Sequence, residues 1–143
     1  MAPTIRDASP ADAAELADLL GQLGYPTAPE AVEARLERLG LVGDRVFVAE
    51  LDGRTVGLGH LQVTPAIERE RPAAKIGALV VDQAHRGRGV GRALVEALEA
   101  EARARGCELL YLTTAERRDD AHAFYERLGL EYTGRRYART LSE

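Results

Sequence analysis

The chain has 143 residues, 45% of them hydrophobic, which suffices for one ordinary core but not two, so a single domain over residues 1–143 is expected. A formal net charge of −4 and a pI near 5.5 argue against non-specific nucleic-acid binding, which needs a basic face to displace counterions. One cysteine excludes an internal disulfide framework, and no N-terminal apolar run has the length of a signal peptide or membrane span, so a cytoplasmic protein with no membrane partner is expected.

Thr4–Ala8 reads as a short first strand. Ser9 followed by Asp12, with Pro10 at the first helical position, predicts a helix start, and Leu16, Leu19, Leu20 and Leu23 fall on one face of that helix. Gly24-Tyr25-Pro26 stops it. Thr27 with Glu30 repeats the capping pattern, and Val32, Leu36 and Leu39 give a second helix its apolar stripe before Gly40. Arg45–Leu51 and Thr55–Val63 flank Asp52-Gly53, a strong hairpin signal. Residues 64–73, with two prolines and several charges, read as a loop leading to a buried strand, Ile76–Asp82. A helix from about Gly89 carries Val90, Leu94, Ala97 and Leu98 at helical spacing and ends at Gly106. Cys107–Thr114 is a second apolar strand, so a right-handed β-α-β crossover with two parallel strands is expected.

The loop inside that crossover, His85-Arg86-Gly87-Arg88-Gly89-Val90-Gly91-Arg92, is the most informative segment. Its glycines remove Cβ atoms where an anion must come close, and the helix that follows aims unpaired backbone N–H groups at the same spot. Arg86, Arg88 and Arg92 add positive charge there. A phosphate cradle for a nucleotide-containing ligand is the functional reading; a plain tight turn with a glycine helix start is the structural one. The spacing fits neither the dinucleotide fingerprint nor the phosphate loop that closes on Gly-Lys-Ser/Thr, since the only lysine is Lys75. One cysteine and three scattered histidines give no zinc spacing, so no metal site is expected, and Cys107 in an apolar setting reads as an inert thiol.

Arg86-Gly87-Arg88-Gly89-Val90-Gly91 after a strand, with Phe124-Tyr125-Glu126-Arg127-Leu128-Gly129-Leu130 further on, resembles the GNAT superfamily of acyl-CoA N-acyltransferases. Its signature is Gln/Arg-x-x-Gly-x-Gly/Ala, and its second element is an aromatic-Tyr pair on a short helix ending in Leu-Gly-Phe. The resemblance covers the chain from first strand to last. It implies an α/β (α+β) fold: a mixed, mostly antiparallel sheet of six or seven strands with about four helices, whose two middle strands are parallel and splay apart to admit acetyl-CoA. It implies that Leu79, Val80 and Val81 pair their backbone with the pantetheine arm, and that Arg86, Gly87, Arg88, Gly89, Val90, Gly91 and Arg92 cradle the pyrophosphate. Tyr125 takes the position of the acid that protonates the leaving thiolate, and Phe124 reads as core packing.

Two departures from the family pattern bear on mechanism. An Asn that often contacts the cofactor arm is replaced by Arg118, which is assigned to cofactor binding by position, the alternative being a simply solvated side chain. The glutamate that many members carry on the central or the following strand is replaced by Gly77 and Thr113. An attacking ammonium must still lose a proton, so Glu50, His60, Glu68, Glu70 and ordered water are candidates for base. His60 is the best side chain, because an imidazole relays protons at neutral pH, although a lone strand histidine is more often structural. His85 and His122 carry weaker readings, the first as packing against the cofactor. Arg135, Arg136 and Arg139, near a final strand, are either solvated or set against the cofactor's 3′-phosphate. The expected activity is direct acetyl transfer from acetyl-CoA to a primary amine of a small molecule or peptide. The alternative is an acyl-CoA-binding sensor without catalysis. The oligomeric state stays open, with a homodimer completing the sheet as the family's common arrangement.

Overall fold

The computed structural model describes residues 2–113, 119–134 and 136–141. They form two compact units, one running to Tyr111 and the other from Leu112 onward.

The first unit is built on a sheet in the spatial order β1 (Thr4–Asp7), β2 (Arg45–Leu51), β3 (Arg54–Thr64), β4 (Ala73–Val81), β5 (Leu109–Leu112), whose last residue lies past the unit boundary. β1 pairs with β2, β2 with β3 and β3 with β4, each antiparallel. β5 lies beside β4, and the Glu108 amide donates to the Pro72 carbonyl at 2.9 Å, just ahead of both strands, so these two start together and run parallel. Five strands stand among the described residues, against six or seven expected: Leu130–Gly134 and Arg136–Leu141 form no ladder, and a strand exists only where a partner pairs with it.

Local chemistry explains most element boundaries. Asp52 and Gly53 both have positive φ, 51° and 76°, which a two-residue turn joining twisted strands requires, so the β2–β3 hairpin closes where the Asp-Gly pair stands. At the first helix the Ser9 amide donates to the Asp12 carboxylate at 2.8 Å; a 3₁₀ turn, Pro10–Asp12, leads into α1 (Ala13–Leu23). The second helix, α2 (Pro29–Leu41), starts later than its capping pattern suggests. Pro29 occupies the first turn and favours an extended Ala28, while the Thr27 hydroxyl turns back to the Tyr25 carbonyl at 2.7 Å and caps nothing. Gly40 lies inside α2 rather than after it. The third helix, α3 (Val90–Ala104), ends as expected at a left-handed Gly106, with Cys107 N–H donating to Ala102 C=O at 3.0 Å.

The two faces of the sheet take different partners. Leu16 and Leu19 of α1 and Val32 of α2 pack with Val48, Leu58 and Val80, all under 9% exposed. The intervening Gly57 and Gly59 of β3 turn to the opposite face, where a Cβ would stand 3.0 Å from Leu94 and 2.9 Å from Leu98 of α3. Those glycines let α3 lie close against the sheet, which fixes where the α3 N-terminus sits relative to β4. No helix among the described residues is long and apolar enough to cross a membrane.

The second unit contains the fourth helix, α4 (Asp119–Arg127), which ends at a left-handed Gly129, with the Leu130 amide donating to the Tyr125 carbonyl at 3.1 Å.

Candidate active site

Gly87 and Gly89 both have φ of +81°, a conformation that L side chains rarely adopt, and nothing lies within 4 Å of a Cβ placed on either. The loop is therefore held open by glycine chemistry. Gly89 caps α3, whose first helical bond is from Ala93 N–H to Gly89 C=O at 3.0 Å. The amides of Val90, Gly91 and Arg92 precede that bond and have no acceptor within the helix. Their dipoles sum to a local positive potential, and Arg88 and Arg92 lie exposed beside them. Val90 itself is fully buried against β3, so its contribution to a bound anion is confined to its backbone. Arg86 is exposed and its Nε donates to Val81 C=O at 3.4 Å, linking loop to strand end.

β4 has nine residues and β5 four. Because the two start together, the outer edge of β4 from about Gly77 to Val81 has no strand partner among the described residues. Leu79, Val80 and Val81 lie on that open edge. An edge of unpaired N–H and C=O groups is what an extended amide-bearing ligand can add to as a further strand.

At the start of this edge the ladder breaks register. Leu61 pairs with Ile76 and His60 with Ala78, which leaves Gly77 as an extra, bulged residue on β4. Gly77 is exposed, whereas Ile76 is 3% exposed. The His60 ring fills the space over it: a Cβ on Gly77 would stand 2.7 Å from His60 Nδ1 and 3.3 Å from Cε1. The other ring nitrogen, Nε2, lies 3.0 Å from Asp44 Oδ2, and both side chains are largely buried. The imidazole thus stands where the usual family carboxylate is absent. Asp44 carried no signal in the sequence, since a Gly-Asp pair after a helix reads as a turn and its distance from His60 in the chain hides the contact.

The other candidates are accounted for differently. Glu50 accepts from Arg6 Nε at 2.8 Å, and Glu68 and Glu70 are exposed in the β3–β4 loop. His85 Nδ1 meets Asp82 Oδ2 at 2.6 Å, and Gln22 of α1 clamps the same turn by donating to Asp82 Oδ1 and accepting from the Gln83 amide, each at 2.8 Å. The Gln22 hydrogen bond, then that of His85, holds the Asp82 carboxyl below the usual carboxylate range. These contacts make His85 a brace for the strand end that feeds the glycine loop. A cleft of about 280 Å³ runs beside α1, bordered by Glu15, Asp18, Thr55, Asp82 and His85. Its carboxylates have internal partners: Glu15 accepts from the Thr55 amide at 2.8 Å and Asp18 from Gln22 at 2.9 Å. Cys107 is half-buried just before β5. Thr113, the other family carboxylate position, is exposed and follows β5.

In the second unit, Tyr125 is half-buried on α4, and its ring meets Phe124 edge-on at a centroid separation of 5.4 Å. His122 lies on the same helix and is half-buried. Arg118 and Arg135 fall outside the described residues. Arg136 and Arg139 are exposed. No cluster of potential metal ligands occurs among the described residues.

With a glycine cradle at a helix N-terminus, an open strand edge leading to it and a bulge at the start of that edge, the chain belongs to the acetyltransferase (GNAT) family, whose pattern matches residues 13–130. It is 36% identical over 138 residues to an aminoglycoside N(6′)-acetyltransferase type 1 of Stenotrophomonas maltophilia, covering 94% of this chain and 90% of that protein. It is 37% identical over 93 residues to a glucosamine 6-phosphate N-acetyltransferase of Trypanosoma brucei brucei, covering 64% of this chain but only 60% of that protein's length. Among solved structures, an acetyltransferase of Trypanosoma brucei matches with a TM-score of 0.85 at 27% sequence identity, over 97% of this chain and 99% of that one.

Proposed function

We propose that this chain is an N-acetyltransferase that moves the acetyl group of acetyl-CoA directly to a primary amine of a small molecule or peptide. The observation that carries this reading is the continuity of three features: the bulge at Gly77 under His60, the unpaired edge at Leu79–Val81, and the open loop from Arg86 to Arg92. They fit the parts of acetyl-CoA in order. The loop amides and arginines suit a pyrophosphate, and the strand edge suits the amides of the pantetheine arm. The thioester then falls near the bulge. The family pattern runs across both units, which supports one acetyltransferase domain over residues 1–143. Cytoplasmic residence and the lack of a resident metal go with this reading.

The chemistry follows from protonation states. A primary amine is mostly an ammonium at neutral pH and has no lone pair to offer. His60 accepts one ammonium proton, directly or through water, and the freed nitrogen attacks the thioester carbonyl carbon. A C–N bond forms, the C–S bond breaks, and the departing thiolate takes a proton from the Tyr125 phenol. The phenolate recovers its proton from the nitrogen as the amide forms. The products are an amide and free CoA thiol, with the proton on His60 passing to solvent. Arg118 is assigned to the cofactor arm by its position in the family pattern.

A non-catalytic acyl-CoA sensor is the second reading, suggested by Gly77 and Thr113 at the usual glutamate positions. His60 over Gly77 weighs against it, because a proton acceptor occupies the vacated space. The test is thiol release from acetyl-CoA across a panel of primary amines. Release with at least one amine, lowered about a hundredfold or more in kcat by His60→Gln, supports the enzyme. Acetyl-CoA binding without release for any amine supports the sensor.

A further inference from the structure

We propose that Asp44 is the positioning residue for the base: it holds His60 as the Nε2–H tautomer, so that the Nδ1 lone pair faces the bulge at Gly77. The inference rests on the reading of His60 as proton acceptor and names what makes that role possible.

Asp44 sits on the turn between α2 and β2, and its own amide donates to the Leu39 carbonyl at 3.0 Å, which ties the residue to the helix end. Its Oδ2 lies 3.0 Å from His60 Nε2, with side chains 11% and 14% exposed. A carboxylate can only accept, so the ring nitrogen facing it carries the hydrogen. In a neutral imidazole the other nitrogen is then the acceptor. That nitrogen, Nδ1, is the atom 2.7 Å from a Cβ on Gly77, the exposed residue of β4. The opposite tautomer would set a lone pair against the carboxylate and leave no base at the bulge.

The two neighbouring arginines are engaged elsewhere. Arg105 donates to the Gly43 carbonyl at 2.7 Å and pairs with Glu101 at 3.1 Å. Arg45, next in sequence, pairs with Asp7 at 2.7 Å and Glu101 at 2.9 Å. Lys75 stands opposite Gln62 in the β3–β4 register. Among the described residues, the ion pair recorded for His60 is with Asp44.

Imidazole ¹⁵N spectra of the wild type report the tautomer without any substrate. The expected signature is Nε2–H for His60, assigned by its loss in His60→Gln, and its collapse toward a mixture in Asp44→Ala. With a reactive amine, Asp44→Ala should lower kcat roughly ten- to a hundredfold while KM for acetyl-CoA stays within about twofold, and should cost nothing further in a His60→Gln background. Asp44→Asn, nearly isosteric and still able to accept from Nε2–H, guards against misfolding and should lie between wild type and Asp44→Ala. An Nδ1–H or mixed tautomer in the wild type overturns the proposal, as does unchanged kcat in a folded Asp44→Ala. Failure of the wild type to bind acetyl-CoA defeats the acetyltransferase reading instead, and the tautomer spectrum still decides Asp44's hold on the ring.

Discussion

Replacing Gly77 with alanine adds one methyl group at the point where β4 bulges beneath His60. The new Cβ would lie 2.7 Å from Nδ1, and ordinary contact requires about 3.4 Å, so ring and strand must separate by roughly 0.7 Å. The backbone at Gly77 has no positive φ, so crowding is the whole cost. Taken up by the ring, that shift disturbs the 3.0 Å contact to Asp44 on its other side; taken up by the strand, it deforms the bulge. Overpacking of this size costs about 1–3 kcal/mol, or roughly 3–10 °C in Tm for a chain of this length. Thermal unfolding followed by circular dichroism measures the loss, and thiol release should fall with it because Nδ1 is displaced. His60→Ala/Gly77→Ala should be no less stable than His60→Ala, since removing the ring removes the clash. A Gly77→Ala variant with wild-type Tm and wild-type kcat would refute the packing of the ring over the bulge.

Asp12 is 4% exposed and accepts from both Arg6 terminal nitrogens, at 2.8 and 2.9 Å, from the Ser9 amide and from Thr55. The Arg6 hydrogen bonds, above all, pull its pKa from 3.8 to about 2. Because the folded value is the lower, the stabilisation is present above 3.8, amounts to about 2 kcal/mol, and is lost as pH falls toward 2. In urea titrations at pH 7 and pH 2.5, Asp12→Asn should be less stable at the higher pH with the gap shrinking at the lower; a gap independent of pH would contradict the network. Gly59→Ala should cost about 1–3 kcal/mol in the same assay, since its Cβ would meet the buried Leu98 at 2.9 Å; wild-type stability would mean that α3 has room to move off the sheet. Tyr125→Phe should reduce kcat while leaving acetyl-CoA affinity nearly intact, and unchanged turnover would remove Tyr125 as the acid.

Features governed by local chemistry were readable from the residues alone. The β2–β3 turn follows from Asp52-Gly53 because only such a pair tolerates two successive positive φ values, and the glycine loop follows for the same reason at Gly87 and Gly89. The apolar spacing of α1 and α3 identified the buried Leu16, Leu19, Leu94 and Leu98. Thr27 misled because two capping signals compete in one segment and Pro29 wins. Asp44 could not be read, since nothing in a Gly-Asp turn reveals which strand residue lies across from it. His60 could be nominated by chemistry, but its position over Gly77 depends on the register shift in β4, a product of sheet geometry rather than of any local motif.

Calorimetric titration of acetyl-CoA into the wild type and into Gly89→Glu tests most directly whether this loop is the cofactor cradle. A side chain at Gly89 meets no atom within 4 Å, so the variant has room to fold, with about 1–2 kcal/mol of strain from the positive φ. Its carboxylate would stand among the amides that receive the pyrophosphate. Binding by the wild type and none by the variant is the predicted result. Equal binding by both, or none by the wild type, would contradict it.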